Sequence, residues 1–170
     1  MTAKDRSMAQ SEQGERLERL LGYLAVDPHN PALLRDAANA AMDAQDFARA
    51  GALLATLEEI GQAALADRNL AGIAAMRGGE ARRAADIFAG LLADNPADPG
   101  LRFNCAWARA LARDFAGARD LLDDDLTARL PQAALLDVQL LHEAGEFDRA
   151  AERARGHIAR HPDYPPLLAA

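Results

Sequence analysis

The sequence predicts an all-α protein in which antiparallel helix pairs stack into a solenoid. Half of the 170 residues are hydrophobic but only 5% are aromatic, and the apolar bulk is alanine and leucine, which favour helices. The sequence contains no run of alternating β-branched residues, so no strand is predicted. Phe47, Ala81, Phe115 and Phe147 recur at intervals of 34, 34 and 32 residues, each followed three places later by alanine. A period near 34 is typical of stacked helix pairs.

The helices can be placed from their breakers. Residues 1–10 are polar and charged, and we expect them to form a disordered lead. Leucines at helical spacing predict a leading helix over 11–27, which the Asp27-Pro28 step ends. We treat residues 11–170 as a single solenoid. After the leading helix, four pairs follow at about 31–60, 64–94, 99–125 and 131–161, and an incomplete fifth pair covers 163–170.

The turn within pair two and the link between pairs three and four contain unusual residues. Gly78-Gly79 is predicted to supply the left-handed backbone that ends the first helix of pair two. In pair three the second helix is expected over 115–125, with the acids 123–125 near its C-terminus. Negative charge there opposes the helix dipole, so we expect this helix to end early and the link to pair four to be irregular.

The repeated residues resemble the tetratricopeptide repeat family over about residues 15–165. Pair two carries the pattern most fully, with Gly72, Ala84, Phe88 and then Asn95-Pro96. The tryptophan that the family often has at the fourth position of a pair is absent from all four pairs. The resemblance implies a right-handed bacterial superhelix that acts as a protein-binding scaffold or adaptor. It also implies that the first helix of each pair lines a concave binding face.

The concave positions implied by the resemblance give a candidate partner-binding site. The site residues are Arg35, Asn39, Asn69, Ile73, Met76, Phe103, Asn104, Trp107 and Gln139. Leu111, His142 and Glu143 fall at further concave positions.

The tryptophan is the most informative member of this set. Trp107, the only tryptophan of the chain, stands with Phe103 among apolar positions, which is the composition of a binding hot spot. Tight winding of the helices could instead make both aromatic residues ordinary core. Some family members grip a peptide carboxylate with basic and asparagine residues, but only Arg35 and Asn39 match that pattern here, so we do not expect such a clamp.

Composition and motifs disfavour several other functions. The net charge is −7, and the arginines are scattered among acids, which disfavours nucleic acid as a partner. No signal peptide and no long apolar run are present, so we expect a cytoplasmic protein without membrane insertion. The sequence contains no catalytic motif, so it does not predict an enzyme. No cofactor or metal is expected. His157 and His161 have the spacing of two metal ligands but no third, and Cys105 is interpreted as a small core residue.

The expected partner is another protein or peptide, and we expect no catalytic activity. Two alternatives remain open at this stage: a small bacterial secretion or assembly chaperone, and a regulatory domain cut from a larger enzyme. The incomplete fifth pair suggests an open solenoid end, through which a homodimer could form.

Overall fold

The computed structural model describes the backbone of residues 3–168 and the side chains of residues 12–167. These residues form ten α-helices, one 3-10 helix and the turns between them, and no strand occurs among them, so the all-α prediction is confirmed. The helices are α1 (Ala3–Leu24), α2 (Pro31–Asp43), α3 (Phe47–Glu59), α4 (Leu65–Arg77), α5 (Ala81–Asp94), α6 (Pro99–Leu111), α7 (Phe115–Arg119), α8 (Asp124–Arg129), α9 (Pro131–Glu143) and α10 (Phe147–Arg160). The 3-10 helix is Pro165–Leu168.

The chain divides into two compact units, one ending at Ile87 and the other beginning at Phe88, within α5. Pairs one, two and four correspond to α2–α3, α4–α5 and α9–α10, with ends close to the predicted ones. α1 begins at Ala3, so the structure has helix over 3–10, where we expected a disordered lead. Residues 1 and 2 lie outside the described part of the chain.

The turn inside every helix pair contains one residue in the left-handed region. These residues are Gln45 (φ 61°), Gly79 (φ 83°), Arg113 (φ 66°) and Gly145 (φ 74°). In each turn the N–H of the following residue bonds to a carbonyl five residues earlier, as Glu80 does to Ala75 at 2.8 Å. This bond closes the first helix and reverses the chain. Gly79 therefore has the predicted role.

We expect Gly79→Ala to lower the free energy of unfolding by about 1–2 kcal/mol, because a Cβ is strained at positive φ. Gly90→Ala is the matched control, since both glycines have open space for a Cβ but Gly90 lies in the interior of α5. The control should raise stability by about 0.5–1 kcal/mol. Urea denaturation of both variants tests this, and an equal effect of the two would contradict it.

The second helix of pair three is much shorter than its counterparts. α7 has 5 residues, whereas α3 has 13 and α5 has 14. The predicted early end is confirmed, but the placement of the acids at a helix C-terminus is wrong. Asp123 is the N-cap of a new helix, α8, and its Oδ1 accepts the N–H of Leu126 at 2.8 Å. Asp124 and Asp125 then lie in the first turn, where the helix dipole favours negative charge.

Asp123 should stabilise the start of α8, the helix that follows the break in the repeat, in a pH-dependent way. The hydrogen bond from the Leu126 N–H, reinforced by Arg102, holds the pKa of the Asp123 carboxyl below its ordinary value of 3.8. A depressed pKa means that the contribution is present above pH 3.8 and is lost as pH falls through the folded-state value.

We expect Asp123→Ala to cost about 1 kcal/mol at pH 7 and Asp123→Asn, which keeps a capping oxygen, clearly less. The gap between wild type and Asp123→Ala should close below pH 3.8. Chemical denaturation at pH 7, 5, 4 and 3 measures this gap. A gap that widens on acidification would contradict the assignment.

Alanine is buried at the repeated position in the second helix of each pair. The four repeated alanines Ala50, Ala84, Ala118 and Ala150 are 0%, 0%, 0% and 5% exposed. In the first unit Leu34, Leu54 and Leu57 form a cluster between α2 and α3. In the second unit Leu122, Leu126, Leu136 and Leu140 form another, with Ala106 and Ala118. Cys105 is also fully buried, as predicted.

The segment of the expected incomplete fifth pair contains a short 3-10 helix. After His161 the chain turns and forms the 3-10 helix, in which Leu167 is 1% exposed. This 3-10 helix contacts α9 and α10. Residues 169 and 170, also part of the expected fifth pair, lie outside the described residues.

Candidate functional site

An open groove of about 660 Å³ lies along α6 and α9 in the second unit. We call it the α6–α9 groove. Its apolar lining consists of Trp107, Ala110, Leu111, Phe115, Leu136, Val138 and Leu140. Its polar lining consists of Arg113, Gln139, His142 and Glu143. The volume falls within the range of about 300–1,000 Å³ that is usual for ligand pockets.

The start of each helix determines which residues face the groove. Asp98 caps α6 by accepting the N–H groups of Gly100 at 2.8 Å and Leu101 at 3.0 Å, and Pro99 occupies the first turn. Trp107, Ala110 and Leu111 then follow at helical spacing on one face of α6.

α9 begins in a similar way but without a side-chain cap. Pro131 stands in its first turn, where a missing N–H costs nothing. Leu136, Gln139, Leu140 and Glu143 then follow at intervals of three, one and three residues. Because this spacing keeps them on one stripe of the helix, α9 provides both an apolar floor and polar groups to the groove.

Two large apolar side chains are exposed in the groove. Trp107 is 42% exposed and Leu111 is 48% exposed, on successive turns of α6. Phe103 lies one turn before Trp107, with ring centroids 5.8 Å apart, but is partly buried against the core cluster of the second unit. The aromatic pair could be core or could line a binding surface, and its two members differ in this respect. Phe103 packs mainly against the core, and Trp107 lines the groove.

The rim of the groove mixes polar and aromatic groups. The guanidinium of Arg113 lies 5.1 Å from the centre of the Phe115 ring, as in a cation–π contact. The rings of His142 and the exposed Phe147 meet edge to face at 5.0 Å. One cationic and one anionic side chain, Arg113 and Glu143, line the groove. The groove can therefore bind an apolar side chain and satisfy polar groups beside it.

The structure places the remaining predicted site residues in several settings. Arg35 donates through Nε to Asp67 at 2.9 Å and through Nη2 to the Gln62 carbonyl, so its guanidinium connects α2 to the start of α4. The Asn39 amide donates to the Arg35 carbonyl at 2.9 Å.

The other predicted residues lie on α4 and α6. Ile73 and Met76 are partly buried on α4 of the first unit. Asn69 and Asn104 are partly buried and have interaction partners. Of the nine predicted residues, only Trp107 and Gln139 line the α6–α9 groove. The participation of the others in partner binding stays a prediction.

Some groove residues were missed in the sequence. Leu111, His142 and Glu143 fall at concave positions but were not among the nine. Arg113 and Phe115 lie in and just after the turn that follows α6, outside those positions. The available signal was the aromatic residue that begins the second helix of the pair, which is Phe47 in pair one and Phe115 in pair three.

The histidines with metal-ligand spacing bind different groups. His157 Nε2 lies 3.0 Å from Asp137 Oδ2, and His161 Nε2 lies 2.7 Å from the Thr127 carbonyl oxygen. Within the described residues, no group of three or more His, Cys, Asp or Glu side chains could hold a metal ion. Burial raises the pKa of the Cys105 thiol, which opposes formation of a reactive thiolate.

None of the helices in the described part of the chain combines the length and apolar character needed to cross a membrane.

Comparison with solved structures identifies the fold. YrrB, described as a TPR protein with an unusual peptide-binding site, superposes with a TM-score of 0.76 at 15% identity, covering 94% of this chain and 83% of YrrB. MamA from Desulfovibrio magneticus superposes with a TM-score of 0.77 at 14% identity, covering 93% of this chain and 90% of MamA. The chain has the tetratricopeptide-repeat fold.

A third tetratricopeptide-repeat structure agrees. A thermophilic TPR protein of Thermus thermophilus gives a TM-score of 0.65 at 16% identity, covering 96% of this chain and 91% of that protein. No family model and no curated protein matches the sequence. At these identities the likeness establishes the fold alone, and the fold class predicted from the repeat is confirmed.

Phe103 and Trp107 should differ in their effects on stability. Phe103→Ala removes a ring packed on core and should cost about 2–3 kcal/mol. Trp107→Ala removes a ring that is 42% exposed and should cost about 1 kcal/mol or less. Urea denaturation of both variants, with secondary structure followed by circular dichroism, measures the difference. A larger loss for Trp107→Ala would make the indole a core group.

Proposed function

We propose that this chain is a non-catalytic protein-binding module whose α6–α9 groove binds a peptide segment of a partner protein. The observation that carries the proposal is the exposure of Trp107 and Leu111 on one face of α6, over a groove of about 660 Å³. Large exposed apolar side chains in a concave site are the usual anchors of protein–protein binding. The tetratricopeptide-repeat fold and the peptide-binding site named for YrrB support this use of the groove.

The lining suggests what the peptide presents. A large apolar side chain would occupy the space between Trp107 and Leu111, over Leu136 and Leu140. The Gln139 amide, which can donate and accept, would bond the peptide backbone beside this anchor. The groove has one Arg and one Glu, so it lacks the basic stripe that a nucleic acid would require.

The single tryptophan makes the proposal measurable. Peptides that bind are selected from a phage-displayed library and synthesised. Because Trp107 is the only indole of the chain, a peptide that covers it should shift the intrinsic tryptophan emission to shorter wavelength. Affinities are then measured by fluorescence anisotropy with labelled peptide.

Trp107→Ala and Leu111→Ala should each weaken peptide binding about tenfold or more, as expected for anchor residues. Two matched controls are available outside the groove: Tyr23 is a 60% exposed aromatic residue, and Leu65 is a 45% exposed leucine. Tyr23→Ala and Leu65→Ala should leave affinity unchanged. Selected peptides that bind all four folded variants as they bind wild type would overturn the proposal.

A further inference from the structure

A second cavity, of about 400 Å³, lies among α7, α9 and α10 of the second unit. We call it the arginine cavity, because Arg119, Arg149, Arg153 and Arg160 contribute to its lining. Arg119 is the last residue of α7, the helix that stops after 5 residues. The cavity thus borders the break in the repeat. At the corresponding place in pairs one and two, α3 and α5 continue for about two more turns.

A polar triad of the buried Asp137 and His157 and the partly exposed Arg153 forms one side of the arginine cavity. Asp137 is 7% exposed and His157 is 1% exposed. Asp137 Oδ2 accepts from Arg153 Nε at 2.7 Å and lies 3.0 Å from His157 Nε2. Arg153 also donates through Nη1 to Asp124 at 2.8 Å. Burial disfavours the charge of Arg153, but its hydrogen bonds to Asp124 and Asp137 prevail and raise its pKa above the usual range.

The repeat itself provides a comparison for this triad. The first and second helices of pairs one, two and four begin 16 residues apart, so their positions correspond without a gap. Asp137, Arg153 and His157 correspond to Ala37, Leu53 and Leu57 in pair one and to Ala71, Ile87 and Leu91 in pair two. Small and aliphatic residues therefore satisfy the fold at these positions. Replacing a buried ion pair by such residues is often neutral or stabilising, so folding alone does not require the triad.

His157 has an unused hydrogen-bonding atom. An ionised carboxylate can only accept, so Nε2–H donates to Asp137. Nδ1 is then a lone-pair acceptor in the neutral ring and a donor in the protonated ring. Among the described residues, His157 Nδ1 is the one buried side-chain nitrogen or oxygen without a hydrogen-bond partner. A phosphate group offers both an oxyanion and, when singly protonated, a P–OH, so it can satisfy either form.

Guanidinium donors remain available around the cavity. Arg119 and Arg149 each use Nη1 to bond Glu146, and Arg153 uses Nε and Nη1. A guanidinium has five N–H donors in a planar fork that matches phosphate oxygens. Arg160 lines the cavity as an exposed residue, and its charge acts on Asp124, whose pKa is lowered by Arg153 and also by Arg160. The lining contains four arginines and two acids, Asp137 and Glu152; Glu146 and Asp124, which lie outside the lining, pair with Arg119, Arg149 and Arg153.

We propose that the arginine cavity is a binding site for a phosphate group, held by the guanidiniums of Arg119, Arg149, Arg153 and Arg160 with His157 beneath them. The phosphate belongs either to a small molecule or to a phosphorylated side chain. The site lies among α7, α9 and α10 and is independent of peptide binding in the α6–α9 groove.

The test is an NMR titration of the full chain with inorganic phosphate at constant pH and ionic strength. Binding should shift the backbone amides of α10 and the ¹⁵N resonance of His157 Nδ1 in a saturable way. Arg160→Gln should weaken binding about tenfold, the size expected for loss of one charge-assisted hydrogen bond. Arg155→Gln is the matched control, because Arg155 is an exposed arginine of the same helix that does not line the cavity. The control should bind as wild type does.

A second variant separates the proposed role from a structural one. Asp137→Ala/Arg153→Ile/His157→Leu gives pair four the residues of pair two at these three positions. This variant should keep the helical circular dichroism spectrum and lose phosphate binding. If it does not fold, the comparison of Arg160→Gln with Arg155→Gln still decides. Phosphate binding equal in Arg160→Gln, Arg155→Gln and wild type, or no saturable shift in wild type, would overturn the proposal.

Two further titrations identify the source of the phosphate. A short peptide with one phosphoserine is compared with the same peptide unphosphorylated and with inorganic phosphate. Tighter binding of the phosphopeptide than of phosphate, with no binding of the unphosphorylated peptide, supports a phosphorylated side chain. Binding of phosphate with exclusion of the phosphopeptide supports a small molecule. Equal binding of the phosphorylated and unphosphorylated peptides would overturn phosphate recognition.

Discussion

The close approach of paired helices at alanine is the constraint on which the rest of the structure depends. Ala50, Ala84, Ala118 and Ala150 stand at the same place in the second helix of each pair and are almost completely buried. A larger side chain there would push the helices apart, because protein interiors are close-packed. Each alanine contributes little apolar area, so the leucines around these contacts provide most of the burial. The spacing that alanine permits brings such leucines together, and in the second unit it also fixes the floor of the α6–α9 groove.

Features that repeat could be predicted from the sequence. The positive-φ turn is visible where glycine occupies it, as at Gly79 and Gly145, and the 34-residue interval carries it to Gln45 and Arg113. The helix starts follow from prolines and capping acids, as at Pro99 and Asp98. The caps and the glycine turns depend on residues within one turn of helix, and the repeat interval transfers each of them from one pair to the next. Trp107 is among the concave positions that the resemblance implies, and it is 42% exposed in the α6–α9 groove.

Features that break the repeat could not be predicted in the same way. The sequence pattern places the acids 123–125 at the end of one helix, whereas Asp123 begins another. Aspartate can be the N-cap of one helix or lie near the C-terminus of another. Only the path of the chain distinguishes the two cases. Arg35 and Asp67 are 32 residues apart, and their ion pair depends on the packing of α2 near α4. The spacing of His157 and His161 is that of two metal ligands, yet the partner of His157 is Asp137, 20 residues away on another helix.

The position of Asp137 shows how a repeat protein can acquire a second kind of site at small cost to its fold. α9 presents Leu136, Gln139 and Leu140 to the α6–α9 groove and Asp137 and Leu141 to the arginine cavity, so one helix borders both. Leu136 and Leu140 of the same helix belong to the core cluster of the second unit. Asp137, Arg153 and His157 stand where pairs one and two have small and aliphatic residues, and Arg119 at the end of α7 lines the same cavity. Stacked repeats tolerate such a local exchange because each pair contacts only its neighbours, and the stability lost in one pair is not multiplied along the chain. Specialisation of pair four is therefore compatible with a fold that the other pairs specify.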